Sequence, residues 1–354
     1  MKALQRIVTR MLFSVLAVLV LALVSVPFPL PAHASQGPPL PKIPIEIAMR
    51  LDNIYGFSAK DKTYTVQGSF WLSFDQATAA LIAKAGVKPI DLVSFYNLVQ
   101  PWNSQIEPLS ENSFLTGQGR YSQGYQFNGL FYSDQINYYK SPFGQLPLSV
   151  IVQPKPGALE GVAQQVILKA QRDGAEVGSR VGLSGFDVAS WRFKTLNRGR
   201  TSTIGFGQAT VPGGVDFEVI YQANAWASLV KWILPLAIVM LVMLLTPILR
   251  NSFRSDRLAI PPVVLLTLVF MQQSYRETLP TLPYLTFLDG LYAYSYLVTL
   301  VFFVLFIWSS NLSEGANPES APAIERRTDK LDRLVQLVSL AGYGGLVVAA
   351  FWLA

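Results

Sequence analysis

The sequence contains no cysteine and a single histidine, His33. The first absence excludes a disulfide framework, a thiolate metal site and a cysteine nucleophile. The second excludes imidazole-based zinc sites and Ser-His-Asp hydrolysis within one chain, unless another subunit supplies the base. Charge is scarce too: 14% of the 354 residues are charged against 51% hydrophobic, a balance that does not suit an ordinary soluble protein and brings a membrane solution forward. The formal net charge of +6 is scattered and partly concentrated beside apolar runs, so nucleic-acid binding has no support. The acids of the central region are dispersed and form no paired-carboxylate site. The expectation is a protein that is not an enzyme and that carries no metal or cofactor.

What is present begins with a leader. Lys2, Arg6 and Arg10 precede an apolar stretch from Met11 to Val26, followed by Ala32-His33-Ala34 before Ser35. This is the layout of a secretory signal peptide, residues 1–34, with an A-x-A cleavage site; a retained membrane anchor is the alternative, since the stretch is close to spanning length. The proline-rich segment 36–44 reads as an extended lead-in. From Ile43 to about Ala225 the chain alternates with period two. Ile43, Ile45, Ile47, Met49 and Leu51 fall on one face of a strand, and Tyr64, Val66, Gly68, Phe70, Leu72 and Phe74 on one face of the next, with the turn Ala59–Lys62 between them. A helix is predicted from Gln76 to Ala85, ended by Gly86. Further strands are predicted at Gln126–Phe131, Leu148–Gln153, Phe186–Phe193 and Val215–Ala223. Residues 35–225 therefore read as one exported, immunoglobulin-like β-sandwich.

Residues 226–354 read as an all-α, four-helix transmembrane domain, with apolar segments Trp232–Leu249, Leu258–Met271, Phe287–Trp308 and Leu334–Leu353 and helices predicted at about 228–249, 258–275, 284–308 and 333–353. Arg250, Arg254 and Arg257 lie between the first two segments, and Arg326, Arg327, Lys330 and Arg333 before the fourth; only Arg276 lies between the second and third. The positive-inside rule then places the β-rich region and the C-terminus outside the cytoplasm, in agreement with the leader.

The second segment differs from the others. Asp256-Arg257 brackets one end and Arg276-Glu277 the other, while Ala259, Val263, Leu266, Phe270 and Gln273 recur at intervals of four and three and share one helix stripe. Carboxylate rings at both mouths with a Leu/Phe constriction between them suit a cation pore gated by dewetting. The same pattern is met by a helix whose end charges cap it and whose apolar stripe packs on its neighbours. Pro261-Pro262 leaves its start open: prolines are tolerated best in a first turn, so the helix begins either near Pro261, with Asp256 on a loop, or near Asp256 itself.

The run from Ser252 to Tyr296 resembles the second and third membrane helices of prokaryotic pentameric ligand-gated ion channels, relatives of the Cys-loop (Pro-loop) receptors. Leu279, Pro280, Tyr284, Leu285, Thr286 and Asp289 match the family's L-P-x-x-x-Y-L-T-x-x-D linker; Ile233-Leu234-Pro235 resembles its first-helix motif, and SPFGQLPL at 141–148 its proline-containing signature loop. The resemblance implies a homopentamer in the inner (plasma) membrane of a bacterium, opened by an unknown small molecule or protons, and passing monovalent cations across the lipid bilayer. It implies that Ala259, Val263, Leu266, Phe270 and Gln273 line the pore and that Asp256 and Glu277 form its charge rings. Pro142, Phe143, Leu279, Pro280 and Tyr284 would couple ectodomain to pore, and Tyr96, Trp102 and Phe206 would contribute to an aromatic ligand box, for which core or interface packing is the plain alternative. Gly144, Leu146 and Ala223 stand where the family has Asp, Gln and Arg, so its polar coupling set is missing.

Two other classes stay open: a non-conducting ligand sensor of the same fold, and a membrane-anchored periplasmic solute-binding or envelope-assembly protein. The orientation has its own test in a chain without native cysteine. Gln123→Cys should react with a membrane-impermeant thiol reagent added to intact cells and Ser320→Cys should not; labelling at Ser320 would refute it.

Overall fold

The computed structural model describes residues 42–117, 119–155, 165–196, 200–202, 209–211, 213–249, 254–314 and 321–352. The leader 1–34, Arg250 and Phe206 lie outside them.

The N-terminal part is built of strands. β1 (Lys42–Ser58), β2 (Thr63–Phe74), β4 (Gln105–Pro108), β6 (Tyr121–Tyr132) and β8 (Gln165–Arg180) form one sheet in the order β4-β6-β2-β1-β8, with β5 (Phe114–Leu115) paired to β6. β3 (Val93–Phe95), β7 (Gln145–Pro154), β12 (Val215–Ala223) and β9 (Phe186–Thr195) form the second, in the order β3-β7-β12-β9; β10 (Arg200–Ser202) and β11 (Ala209–Val211) make a separate two-stranded ribbon. Along Thr63–Phe74 every second residue is buried, as half-buried strands require, and the inward set is the one that alternation assigned: Tyr64, Val66, Phe70, Leu72 and Phe74 from β2, with Ile43, Ile45, Ile47, Met49 and Leu51 from β1. They share a core with Leu148, Val150 and Val152 of β7 and Phe217, Val219 and Tyr221 of β12.

A polar fastening at Tyr64 crosses this core. The Tyr64 hydroxyl donates to the Ser149 carbonyl at 2.5 Å and accepts from the Ser149 amide at 3.0 Å; burial raises the phenol pKa, so it keeps its proton. β12 departs from alternation because both of its faces are covered: Asp216 and Glu218 are buried opposite the core residues. Lys194 Nζ answers Asp216 at 3.2 Å and Arg192 pairs with Glu218. The helix α1 (Gln76–Ala85) obeys its capping signals, with Asp75 Oδ1 accepting from the Thr78 amide at 2.8 Å and Gly86 left-handed at φ 66°.

Four helices long and apolar enough to cross a membrane follow: α2 (Ala225–Ile248), α3 (Arg254–Glu277), α4 (Phe287–Glu314) and α5 (Ala321–Trp352). In α2 a π turn over Leu229–Ile233 precedes Leu234-Pro235; Pro235 cannot donate to the carbonyl four residues back, and a widened turn accommodates that loss. Of the two starts that the sequence allows for α3, the structure has the one near Asp256. Pro261 and Pro262 lie inside the helix, and Asp256 is in its first turn, not on a loop. The prolines remove only two amide donors, while Arg257 anchors the preceding turn to α5 through Asp332; tertiary contact overrides the local rule.

Gln123 is buried and its amide donates to the Ser110 carbonyl at 2.7 Å, so the exposed loop residue Asn112 is the better outside position for cysteine labelling.

α4 and α5 meet closely at Gly342, where an added Cβ would lie 1.8 Å from the Tyr294 hydroxyl. That hydroxyl donates to the Ser339 carbonyl at 3.0 Å. Gly342→Ala should therefore lower the unfolding temperature of the detergent-solubilised protein, whereas Gly344→Ala, with open space around it, should not; equal melting of the two variants would contradict the contact.

Candidate functional site

α3 has two faces. Arg257, Pro261, Val264, Leu268 and Tyr275 are buried against the other helices. Asp256, Ala259, Val263, Leu266, Phe270, Gln273 and Glu277 are all exposed, with Val263, Leu266 and Phe270 open by 64%, 57% and 65%. The chain thus leaves uncovered the stripe that periodicity singled out. The helix is continuous from Asp256 to Glu277, so the two carboxylates stand about 31 Å apart at about 1.5 Å per residue, the depth of a bilayer core. Near the second end, Gln273 Nε2 donates to Glu277 Oε1 at 3.3 Å.

Each carboxylate adjoins an arginine, and both arginines turn away from it. Arg257 is buried, pairs with Asp332 of α5 and lies 4.5 Å from the centre of the Phe306 ring of α4. At the other end Arg276 Nε donates to Asp289 Oδ1 at 2.7 Å. Asp289 is itself buried; its second oxygen accepts from the Thr286 amide at 3.0 Å and the Thr286 hydroxyl at 2.9 Å. Gln272 Nε2 also reaches Asp289 Oδ1 at 3.3 Å, and the Tyr296 hydroxyl donates to Gln272 Oε1 at 2.7 Å. Sequence reasoning assigned no role to Asp332, Gln272 or Tyr296. Asp289 was visible only as a motif letter.

The coupling residues converge on one joint between the β-rich region and the helices. The Tyr139 and Tyr284 rings stack at 4.0 Å with planes 15° apart. Tyr284 Oη accepts from the Tyr138 amide at 3.2 Å, and the Phe287 amide donates to the Tyr139 carbonyl at 2.8 Å. Phe143 lies 6.2 Å from Phe287, and its carbonyl accepts from Gln222 Nε2 at 2.9 Å. Pro142, which follows a cis peptide bond, offers its carbonyl to Ser228 Oγ of α2 at 3.0 Å. Leu279 is buried and Pro280 half-buried. Tyr138 extends the joint to the β1–β2 turn by donating to the Ala59 carbonyl at 3.0 Å; burial raises its hydroxyl pKa, which keeps it a donor. Gly144, Leu146 and Ala223 bring no charge: Leu146 and Ala223 are buried, and the Ala223 amide donates to the Gly144 carbonyl at 3.3 Å. Among the described residues, rings and side chain-to-backbone hydrogen bonds join these segments, and Tyr138, Tyr139, Pro142, Phe143, Tyr284 and Phe287 carry no charge.

The proposed ligand residues are less concentrated. Trp102 stands 83% exposed on a single 3-10 turn, Pro101–Asn103, and Tyr96 is exposed after β3; neither is buried in the core. The chain around Tyr96 is held by its neighbour Asn97, whose side chain donates to the Ser149 and Tyr132 carbonyls at 2.7 and 2.9 Å and accepts from the Ile151 amide at 3.1 Å. Among the described residues no three His, Cys, Asp or Glu side chains group as metal ligands. Neither a family model nor a curated protein matches the chain.

A stacked pair of this kind contributes about 1 kcal/mol beyond area burial. Tyr139→Ala and Tyr284→Ala should therefore be non-additive in the melting of the full-length protein, the double variant losing less than the sum of the singles. Strict additivity would mean that the rings do not support one another.

Proposed function

We propose that the chain is one subunit of a homopentameric, ligand-gated, cation-selective channel, its immunoglobulin-like sandwich and C-terminus on the outer side of a bacterial inner membrane. The observation that carries this reading is the exposed stripe of α3. It bears a carboxylate at each end and Gln273 near one of them, while both adjacent arginines are withdrawn. A face meant only for lipid has no use for those groups, because ionised side chains in a bilayer are costly away from water or partners. Five copies placing this stripe on a common axis would solve the problem: water fills the mouths, and Asp256 and Glu277 ring them. Between the rings Val263, Leu266 and Phe270 form an apolar constriction that closes by dewetting, without a blocking group.

The joint supports gating from the β-rich region. Displacement of the Tyr138–Gly144 loop acts on Tyr284 and Phe287, which flank the start of α4, and on Ser228 at the start of α2. The route is aromatic where the resembling family uses a polar one. The agonist is a small molecule or the proton; Tyr96 and Trp102 are the exposed aromatic side chains offered to it.

Two measurements test the proposal. Mass determination in mild detergent should give five protomers, and a monodisperse monomer or dimer would sink it. In planar bilayers the protein should pass cations, and Leu266→Ser should raise the basal current by wetting the constriction. Flux that is absent from the native pentamer and from this variant favours the non-conducting sensor instead.

A further inference from the structure

Each end of α3 holds one acid and one base in adjacent positions, so sequence alone leaves the sign of each mouth undecided. Residues one apart on a helix differ by about 100° in direction, and both cannot face one axis. What decides between them lies on other helices. At one end Arg257 is buried between Asp332 of α5 and the Phe306 ring of α4. At the other, Arg276 is drawn to the buried Asp289 of α4. Asp256 and Glu277, turned about 100° from their neighbouring arginines, remain exposed.

We propose that Asp332 and Asp289 are positioning residues that set the sign of the pore's charge, each holding the arginine of its mouth against a neighbouring helix so that the adjacent carboxylate faces the axis. This rests on the channel reading above. Removing the Asp332 carboxylate takes a buried ion-pair partner from Arg257, and breaking one side of a buried pair is very unfavourable. Its long side chain can relieve that by turning to the nearest water, which in the pentamer is the mouth ringed by Asp256. Asp289 also holds Thr286 at the start of α4, so its replacement mixes positioning with helix capping. Among the described residues Asp332 Oδ1 meets no hydrogen-bond donor, so Asp332 is the cleaner test.

The full-length protein is reconstituted in planar bilayers under a sodium chloride gradient and its reversal potential measured. Asp332→Asn should lower the cation-to-anion permeability ratio severalfold and move the reversal potential toward that of chloride, while Asp332→Glu, which keeps the counter-charge, should stay near native. The paired variant Arg257→Gln/Asp332→Asn removes both charges of the pair and tests the idea even where the single variant fails to assemble. It should keep the native reversal potential, because an arginine turned off the axis contributes nothing there. An unmoved potential in Asp332→Asn, or a paired variant more cation-selective than native, overturns the inference alone. A native protein with no current, or with an anion current, takes the channel reading and this inference down together.

Discussion

An ionised side chain inside the thickness of a bilayer must reach water or a counter-charge, and the helical part of this protein is organised around that requirement. Arg257 and Arg276 of α3 turn toward its neighbours, and each meets an aspartate from another helix, Asp332 or Asp289. These pairs fix more than local charge. Arg257 joins α3, α4 and α5 at one level, and Asp289 gathers Arg276, Gln272 and Thr286 at the other. The rotation of α3 about its own axis is thereby set at both ends, and that rotation decides which stripe is left uncovered.

Between these anchors the helix packs by apolar contacts that would tolerate small rotations. Val264 and Leu268 are buried, but the uncovered face offers residues of similar shape in Val263, Leu266 and Val269. Hydrophobic packing within lipid discriminates weakly between such faces, because the lipid tails are as apolar as the side chains. The ion pairs discriminate strongly. They also account for the persistence of helix through Pro261-Pro262, where two lost backbone bonds are outweighed by a fixed first turn.

The joint to the β-rich region follows a different logic. It uses stacked rings and hydrogen bonds instead of charges. Flat rings tolerate sliding more readily than a bidentate ion pair does, which suits the proposed passage of movement from the β-rich region to the helices. Tyr138 bonds both the β1–β2 turn and Tyr284, so the two ends of the joint are not independent.

Much of this was legible in the sequence because the signals are local. Period-two alternation assigned the inward faces of β1 and β2, Asp75 and Gly86 bounded α1, and apolar length gave the four helices to within a few residues at most ends. The intervals of four and three placed Ala259, Val263, Leu266, Phe270 and Gln273 on one stripe. Other features were not legible, for the same physical reason. Asp332 lies 75 residues from Arg257, and a buried charge announces that it needs a partner without saying which residue supplies it. The proline pair left the helix start open between Pro261 and Asp256, and only the folded chain has it at the earlier position. Tyr139 carried no motif at all; only the folded chain stacks it on Tyr284. Sequence determined which residues could face together, through the fixed periods of strand and helix. Tertiary structure decided which way those faces turned, because the partners that hold them come from elsewhere in the chain.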